Sequence, residues 1–322
     1  MERENYTRRV SEFVLQGLSQ SPEHQHFLFV IFLFIYLATW LGNLTIIITV
    51  ICDCHLHTPM YFLLANLALL ELSESTVTAP KLLQILLSQH KTISYTNCII
   101  QMFSIHFIGG TVVSFLVVMA ADRYLAIHKP LQYMTIMTRN MCLKVMVGTW
   151  TVAFIHTITV MSMVIQLPFC GPNILDNFYC DIPQVVQLAC TDTYFVELFI
   201  ITNNGLAITG VFTVLLFSYT VLLFKIRNHL SEGKHKAIST CVAQITVVCL
   251  HFIPCAFVYD QPFQKFPEDK FVSVIYTVIS PVLNPIIYTL RNTEMKNAIR
   301  RLTGKIFFSH RNVKMKHVLP VK

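Results

Sequence analysis

The sequence predicts an all-α fold: one bundle of seven membrane-spanning helices with its N-terminus outside. Three observations predict it. Of 322 residues, 54% are hydrophobic and only 13% charged, with a mean hydropathy of +0.58; a soluble domain carries about 25% charge. The apolar residues gather into seven blocks, near residues 27–51, 59–87, 98–121, 141–167, 195–224, 237–259 and 271–290. Each is long enough to cross about 30 Å of hydrocarbon, which takes about 20 helical residues. Finally, placing the N-terminus outside puts 17 of the 24 Lys and Arg residues on the cytoplasmic side, as the positive-inside rule requires.

The elements follow in order. Residues 1–26 form a polar extracellular segment without a signal-peptide core, so the first span acts as its own insertion signal. Asn5-Tyr6-Thr7 is a glycosylation acceptor that faces the lumen in this topology. Asn43-Leu44-Thr45 fits the same pattern but lies inside the first span, out of reach of the transferase. The first cytoplasmic loop, Ile51 to His57, has no Lys or Arg and dissents from the charge rule; the other loops outweigh it. The second, third and fifth spans contain Ser, Thr, Asn and Gly, which suit helix–helix contacts.

The third span decides the reading. From Cys98 to Met119 it has no ionisable residue except His106, and it closes on Asp122-Arg123-Tyr124, followed by Pro130-Leu131-x-Tyr133. Cys98 and Arg123 lie about 37 Å apart along a helix, close to the thickness of a bilayer with its headgroups. One face carries Met102, Ile105, His106, Gly109, Gly110 and Val113 at i, i+3, i+4 spacing. His106 falls about 12 Å below Cys98, a suitable depth for a buried site. The double Gly either widens the bundle there or permits tight helix packing.

Cys98, Cys170, Cys180 and Cys190 fall outside, where disulfides persist. Four cysteines allow three pairings, and if all are paired, at least one bond ties the long loop 168–194 to the third helix. That loop holds Asp176, Asp181 and Asp192 but no His, so no metal site is expected. In the seventh span, Pro281 and Pro285 flank Asn284, ahead of Tyr288. Each proline costs a backbone hydrogen bond, so a weak point is expected near the cytosolic end. Asn284 is placed to bond carbonyls that Pro285 leaves free, with Glu71 and Asn43 as polar partners. An intramembrane carboxylate such as Glu71 is expensive and marks a functional network. Residues 291–322 form a basic cytoplasmic tail with a short amphipathic helix. The formal net charge of +7 comes mostly from that tail and implies membrane lipid, not nucleic acid, as its surroundings.

These residues carry a family resemblance. Gly42-Asn43, Asp122-Arg123-Tyr124, Trp150 and Asn284-Pro285-x-x-Tyr288 resemble the rhodopsin-like G-protein-coupled receptors. A denser set resembles the olfactory receptors of the tetrapod class. It includes Glu12-Phe13-x-Leu15-x-Gly17-Leu18, Pro59-Met60-Tyr61-Phe62-Leu63, Met119-Ala120, Ser218-Tyr219 and Lys236-Ala237-x-Ser239-Thr240-Cys241. The set spans residues 12 to about 300. Five positions depart from the family pattern: Ala121 before Asp-Arg-Tyr, His128 after Ala-Ile, Ala243 and Gln244 in the sixth span, and Glu71 where Asp is commoner.

The resemblance implies an odorant receptor at the plasma membrane, in the cilia of olfactory sensory neurons, acting through a heterotrimeric G protein with a stimulatory olfactory Gα to raise cAMP. It implies a Cys98–Cys180 disulfide and, with less support in the family, Cys170–Cys190. It adds Asn203, Asn204, Ala207, Phe252, Ala256, Tyr259 and Thr277 to the third-helix ligand face. Asp122, Arg123, Tyr124, Tyr219, Asn284, Pro285 and Tyr288 become the activation switch. The upper third helix has no carboxylate to hold an amine, so an uncharged ligand is expected. No cofactor is implied, and no nucleophile–base pair, phosphate loop or dinucleotide loop suggests an enzyme. A same-fold receptor for a non-odorant ligand would fit a longer N-terminal segment. A transporter would show inverted repeats or paired broken helices.

Overall fold

The structure is a computed structural model, and it describes residues 10–229, 234–259 and 269–304. Asn5 and residues 305–322 of the tail lie outside the described residues. Seven helices are long and apolar enough to span a membrane: Pro22–Cys52, Pro59–Leu87, Tyr95–His128, Arg139–Ile165, Tyr194–Asn228, Ala237–Tyr259 and Asp269–Thr289.

Helix starts follow local chemistry. Pro22 and Pro59 occupy first-turn positions, where the missing N–H costs nothing. Thr138 caps the fourth helix by accepting from the Met141 N–H at 3.2 Å. The first helix begins five residues ahead of its apolar block, because Ser21-Pro22 sets a start within the polar segment. The third runs past Asp122-Arg123-Tyr124 to His128, although the sequence placed its end at that triplet. Leu125, Ala126 and Ile127 propagate helix, and Pro130 stops it.

Two spans change winding beside the outer half of the bundle. The fifth has a π turn at Ile201–Gly205 and the seventh another at Ile275–Ile279. The irregularity of the seventh helix therefore lies well outward of Pro285, which sits within the regular helix Ser280–Arg291. Single π turns inside long helices often accompany functional sites.

A lid closes the outer end. Strands β1 (Glu12–Leu15), β2 (Thr92–Ser94) and β3 (Ile174–Leu175) form a sheet in the order β2-β1-β3. β1 pairs antiparallel with β2, setting Phe13 opposite Ile93, and parallel with β3, setting Leu15 opposite Leu175. The alternation sends Phe13 and Leu15 inward, both fully buried. Gly17 follows at φ +71°, and a Cβ there would meet Ile85 Cγ2 at 3.0 Å, so only glycine fits. Disulfides Cys98–Cys180 and Cys170–Cys190, with Cα separations of 5.5 and 6.0 Å, tie the lid to the third helix and to itself. Gln101 adds a second tie, accepting from the Cys180 N–H at 2.9 Å.

At the cytosolic end, residues 293–304 form a helix that buries Met295 and Ala298 against the main core. Arg301 reaches Asp53 in the first loop at 2.6 Å. The Arg301 guanidinium, and then His55, hold the Asp53 carboxyl down to about 2, so the anchor persists at physiological pH. This explains a first loop without Lys or Arg: its acid takes a cation from the tail. Asp53, Cys54 and His55 approach within metal-ligating distance, but His55 and Arg301 already occupy both Asp53 oxygens.

Candidate functional site: an outer cavity above a clasped cytosolic face

The third, fourth, fifth and sixth helices, with Glu74 of the second and Tyr276 of the seventh, enclose a cavity of about 270 Å³ beneath the lid. Of the twelve contact residues expected from the sequence, Ile105, His106, Gly109, Gly110, Asn203, Asn204, Ala207 and Tyr259 line it, and so does Val113. A Cβ at Gly109 would meet nothing within 4 Å, and one at Gly110 only Ala153 Cβ at 3.7 Å. The double Gly therefore opens space instead of letting helices close together.

The other four lie elsewhere, each for a geometric reason. On the sixth helix the cavity face is His251, Cys255 and Tyr259, at i, i+4 and i+8. Phe252 and Ala256 each follow a cavity-facing residue by one position and are turned about 100° away from it; Phe252 stacks on Phe212 at 5.6 Å in the inner core, and Ala256 is half-buried.

 
Met102 packs with Cys98 and Val160 under the lid, since the loop covers the turn above His106. Thr277 spends its hydroxyl on the Ser273 carbonyl at 2.7 Å, and the π turn presents Tyr276 to the cavity in its place.

Of the lining residues that escaped the sequence reading, five are titratable: Glu74, His156, His251, Cys255 and Tyr276. Glu74 was legible as a second intramembrane acid three residues from Glu71. His156 was not, because its relevance depends on how the fourth helix packs. The His106 and His156 rings stack at 5.2 Å and 16°. Asn203 and Asn204 face His156 from the π turn, yet among the described residues neither polar atom of Asn204 has a partner at hydrogen-bond distance. The Nε2 atoms of His106 and His251 are likewise buried without partners. Native interiors rarely leave such groups unpaired, so these groups offer hydrogen bonds to polar atoms of a water or a ligand in the cavity.

The lid adds a plug. Tyr179 is fully buried and bonds Tyr276 and, at 3.3 Å, Ser273. Asp181 beside it is 6% exposed. Burial, opposed by the Ile182 N–H and helped by Asp269, pushes its carboxyl up to about 7.

The cytosolic half holds a set of paired groups, although His128 Nε2 there has no partner among the described residues. Asp122, 1% exposed, accepts from Arg123 Nε at 2.9 Å and from the Tyr133 hydroxyl at 2.7 Å. Burial, then the bond to Asp122, push the Tyr133 phenol well above its ordinary range, so it stays a donor. Tyr219 donates to Gln244 at 3.2 Å, linking the fifth and sixth helices. Tyr124 stacks on His128 at 4.0 Å, and His128 meets Lys225 at 2.8 Å. Two of the positions that depart from the family pattern, His128 and Gln244, thus form interhelical contacts. Arg123 also lines a cytosolic cavity of about 320 Å³ with Thr58, Tyr61, Tyr133, Cys241 and Glu294.

Between the halves, Asn284 donates to Glu71. The carbonyl orphaned by Pro285 is that of Pro281, four residues back, and its donor is Asn43 at 3.0 Å, not Asn284 as the sequence suggested. Asn284 sits next to the gap in sequence, but its amide is already committed to Glu71. Gly42 allows the approach: a Cβ there would lie 2.9 Å from the Pro285 ring. The buried Tyr288 hydroxyl has no hydrogen-bond partner among the described residues.

A largely apolar cavity with a few polar groups outside and a clasped arginine inside match a receptor architecture, and comparison with known proteins gives the family. A model of the olfactory receptor family matches residues 32–305. The chain is 54% identical to human olfactory receptor 4D1 over 302 residues, covering 94% of this chain and 97% of that protein. It is 50% identical to human olfactory receptor 4F4 over 293 residues (91% and 96%) and 48% identical to human olfactory receptor 4S2 over 299 (93% and 96%). The chain belongs to the olfactory receptor family, multi-pass receptors of the plasma membrane that are not enzymes.

Proposed function

We propose that this odorant receptor takes its ligand in the outer cavity and signals through Arg123 to a stimulatory olfactory Gα, raising cAMP. The observation that carries this reading is the set of unpartnered buried groups, His106, Asn204 and His251, around one space. The proposed ligand contacts are Ile105, His106, Gly109, Gly110, Asn203, Asn204, Ala207 and Tyr259. Met102, Phe252, Ala256 and Thr277 support these residues from behind.

In the resting arrangement Asp122 holds Arg123, and Tyr133 holds Asp122. A ligand shifts the bundle only through contacts that differ between two states. In the second state the sixth helix moves off Arg123, the Tyr219–Gln244 bond breaks, and the cytosolic cavity admits the C-terminal helix of Gα. The unpaired Tyr288 hydroxyl gives that state a group still to be satisfied. Glu71, Asn284 and Asn43 couple the halves, and Asn5 carries the glycan.

The test is an odorant panel read by cAMP in cells expressing the receptor with an olfactory Gα. A response lost in Arg123→Ala at equal surface expression supports the reading. A response that survives in Arg123→Ala contradicts it.

A further inference from the structure

Glu74 has no part in the reading above. It lies one turn outward of Glu71 on the second helix, is 2% exposed, and lines the outer cavity. Among the described residues no side-chain hydrogen bond reaches its carboxyl; Thr78 bonds only its backbone carbonyl. No Lys or Arg lines the cavity, and the nearest acid, Glu71, is satisfied by Asn284. An ionisable group held inside a membrane bundle normally has a partner, and its absence marks a functional position. Glu74 is therefore an acid facing open space, with the partner still to come.

We propose that Glu74 sets the specificity of this cavity and that the ligand carries a basic nitrogen, a small aliphatic or benzylic amine. The inference rests on the ligand occupying the outer cavity. The ammonium pairs with the Glu74 carboxylate, and a further N–H donates to the unpartnered Nε2 of His251. Tyr259 and Tyr276 offer ring faces suited to a cation. The hydrocarbon part fills the space left open at Gly109, against Ile105 and Val113. Atoms balance by either route: an ammonium meeting a carboxylate and a neutral amine taking the carboxyl proton give the same pair. A carboxylic acid ligand would set a third acid beside Glu74 and Glu71. A hydrocarbon would leave Glu74, His251 and Asn204 all unpaired. The sequence pointed to an uncharged ligand because the upper third helix has no acid; the second helix supplies it.

The experiment uses the full-length receptor with a stimulatory olfactory Gα and a cAMP reporter. The probes are cyclohexylamine, heptylamine and benzylamine, each beside the alcohol and the hydrocarbon of the same skeleton. For the wild type, at least one amine should act at a half-maximal concentration about tenfold or more below its alcohol, as a hydrogen bond to a charged group allows. Glu74→Gln should erase that preference at equal surface staining, and Glu74→Asp, which keeps the acid, should retain part of it. If Glu74→Gln fails to reach the surface, Glu74→Asp and the wild-type ranking decide. The proposal is overturned if no amine activates, if amines and alcohols are equipotent, or if Glu74→Gln keeps the preference. Failure of the cavity reading itself looks different: Gly109→Leu would then leave every response intact.

Discussion

Toward the cytosol, Asp122 holds Arg123 and Tyr133, Tyr219 holds Gln244, and Asp53 holds Arg301. Toward the outside, His106, Asn204 and His251 surround a cavity with buried polar atoms that have no partner among the described residues, and Glu74 lines the same space. Both regions are buried in the same bundle, so burial alone does not explain the difference. Paired polar groups hold one arrangement in place, and unpaired ones await an added molecule. The contrast assigns signalling restraint to the inner half and recognition to the outer half.

The sharpest way to break this contrast is to remove the clasped cation. Arg123→Ala should abolish agonist-driven cAMP while ligand binding persists, because Arg123 lies about 25 Å along the helix from His106. Radioligand or fluorescent-ligand binding beside cAMP in the same cells separates the two effects. A joint loss at normal surface expression would erase the division between halves.

Next in size is the hinge between the halves. Gly42→Ala places a methyl 2.9 Å from the Pro285 ring, and overpacking of this kind costs about 1–3 kcal/mol. Thermal denaturation in detergent should show a lower midpoint. An unchanged midpoint would mean that the first and seventh helices separate freely there.

The lid offers a pH-dependent test. Asp181 is raised by burial from 3.8 to about 7, so its protonated form favours the folded lid. That contribution is complete below 3.8, declines as pH rises, and is lost above about 7. Stability should therefore fall between mildly acidic and mildly alkaline pH, and Asp181→Asn should flatten the slope. An identical slope in the variant would assign the effect to other groups.

Tyr259→Phe should have the smallest effect. Losing one neutral hydrogen bond costs about 0.5–1.5 kcal/mol, a threefold to tenfold rise in half-maximal concentration. It should appear for agonists able to hydrogen-bond and vanish for a hydrocarbon of matching shape.

Much of this was legible in the residues. The seven apolar blocks gave the spans because length and hydropathy are local properties. The third-helix face from Ile105 to Val113 was legible because helical periodicity alone fixes which residues share a side. On the sixth and seventh helices the expected contacts came from the family resemblance, which did not fix their register. A choice one residue off, Phe252 for His251 or Thr277 for Tyr276, turns a side chain about 100°, and the π turn at Ile275–Ile279 shifts the register besides. The donor to Pro281 also escaped, because it comes from 238 positions away. Glu74 was visible as an intramembrane acid; its relevance depends on packing that brings the second helix to the third and sixth.

Filling the outer cavity tests the central claim most directly. Gly109 has no heavy atom within 4 Å of where its Cβ would lie, so Gly109→Leu places a side chain in the open space without displacing the backbone. Dose–response curves for every agonist found, at matched surface expression, should collapse or shift by tenfold or more, since each agonist competes for the filled volume. Wild-type potency across all agonists in Gly109→Leu would contradict the account and move the ligand site elsewhere.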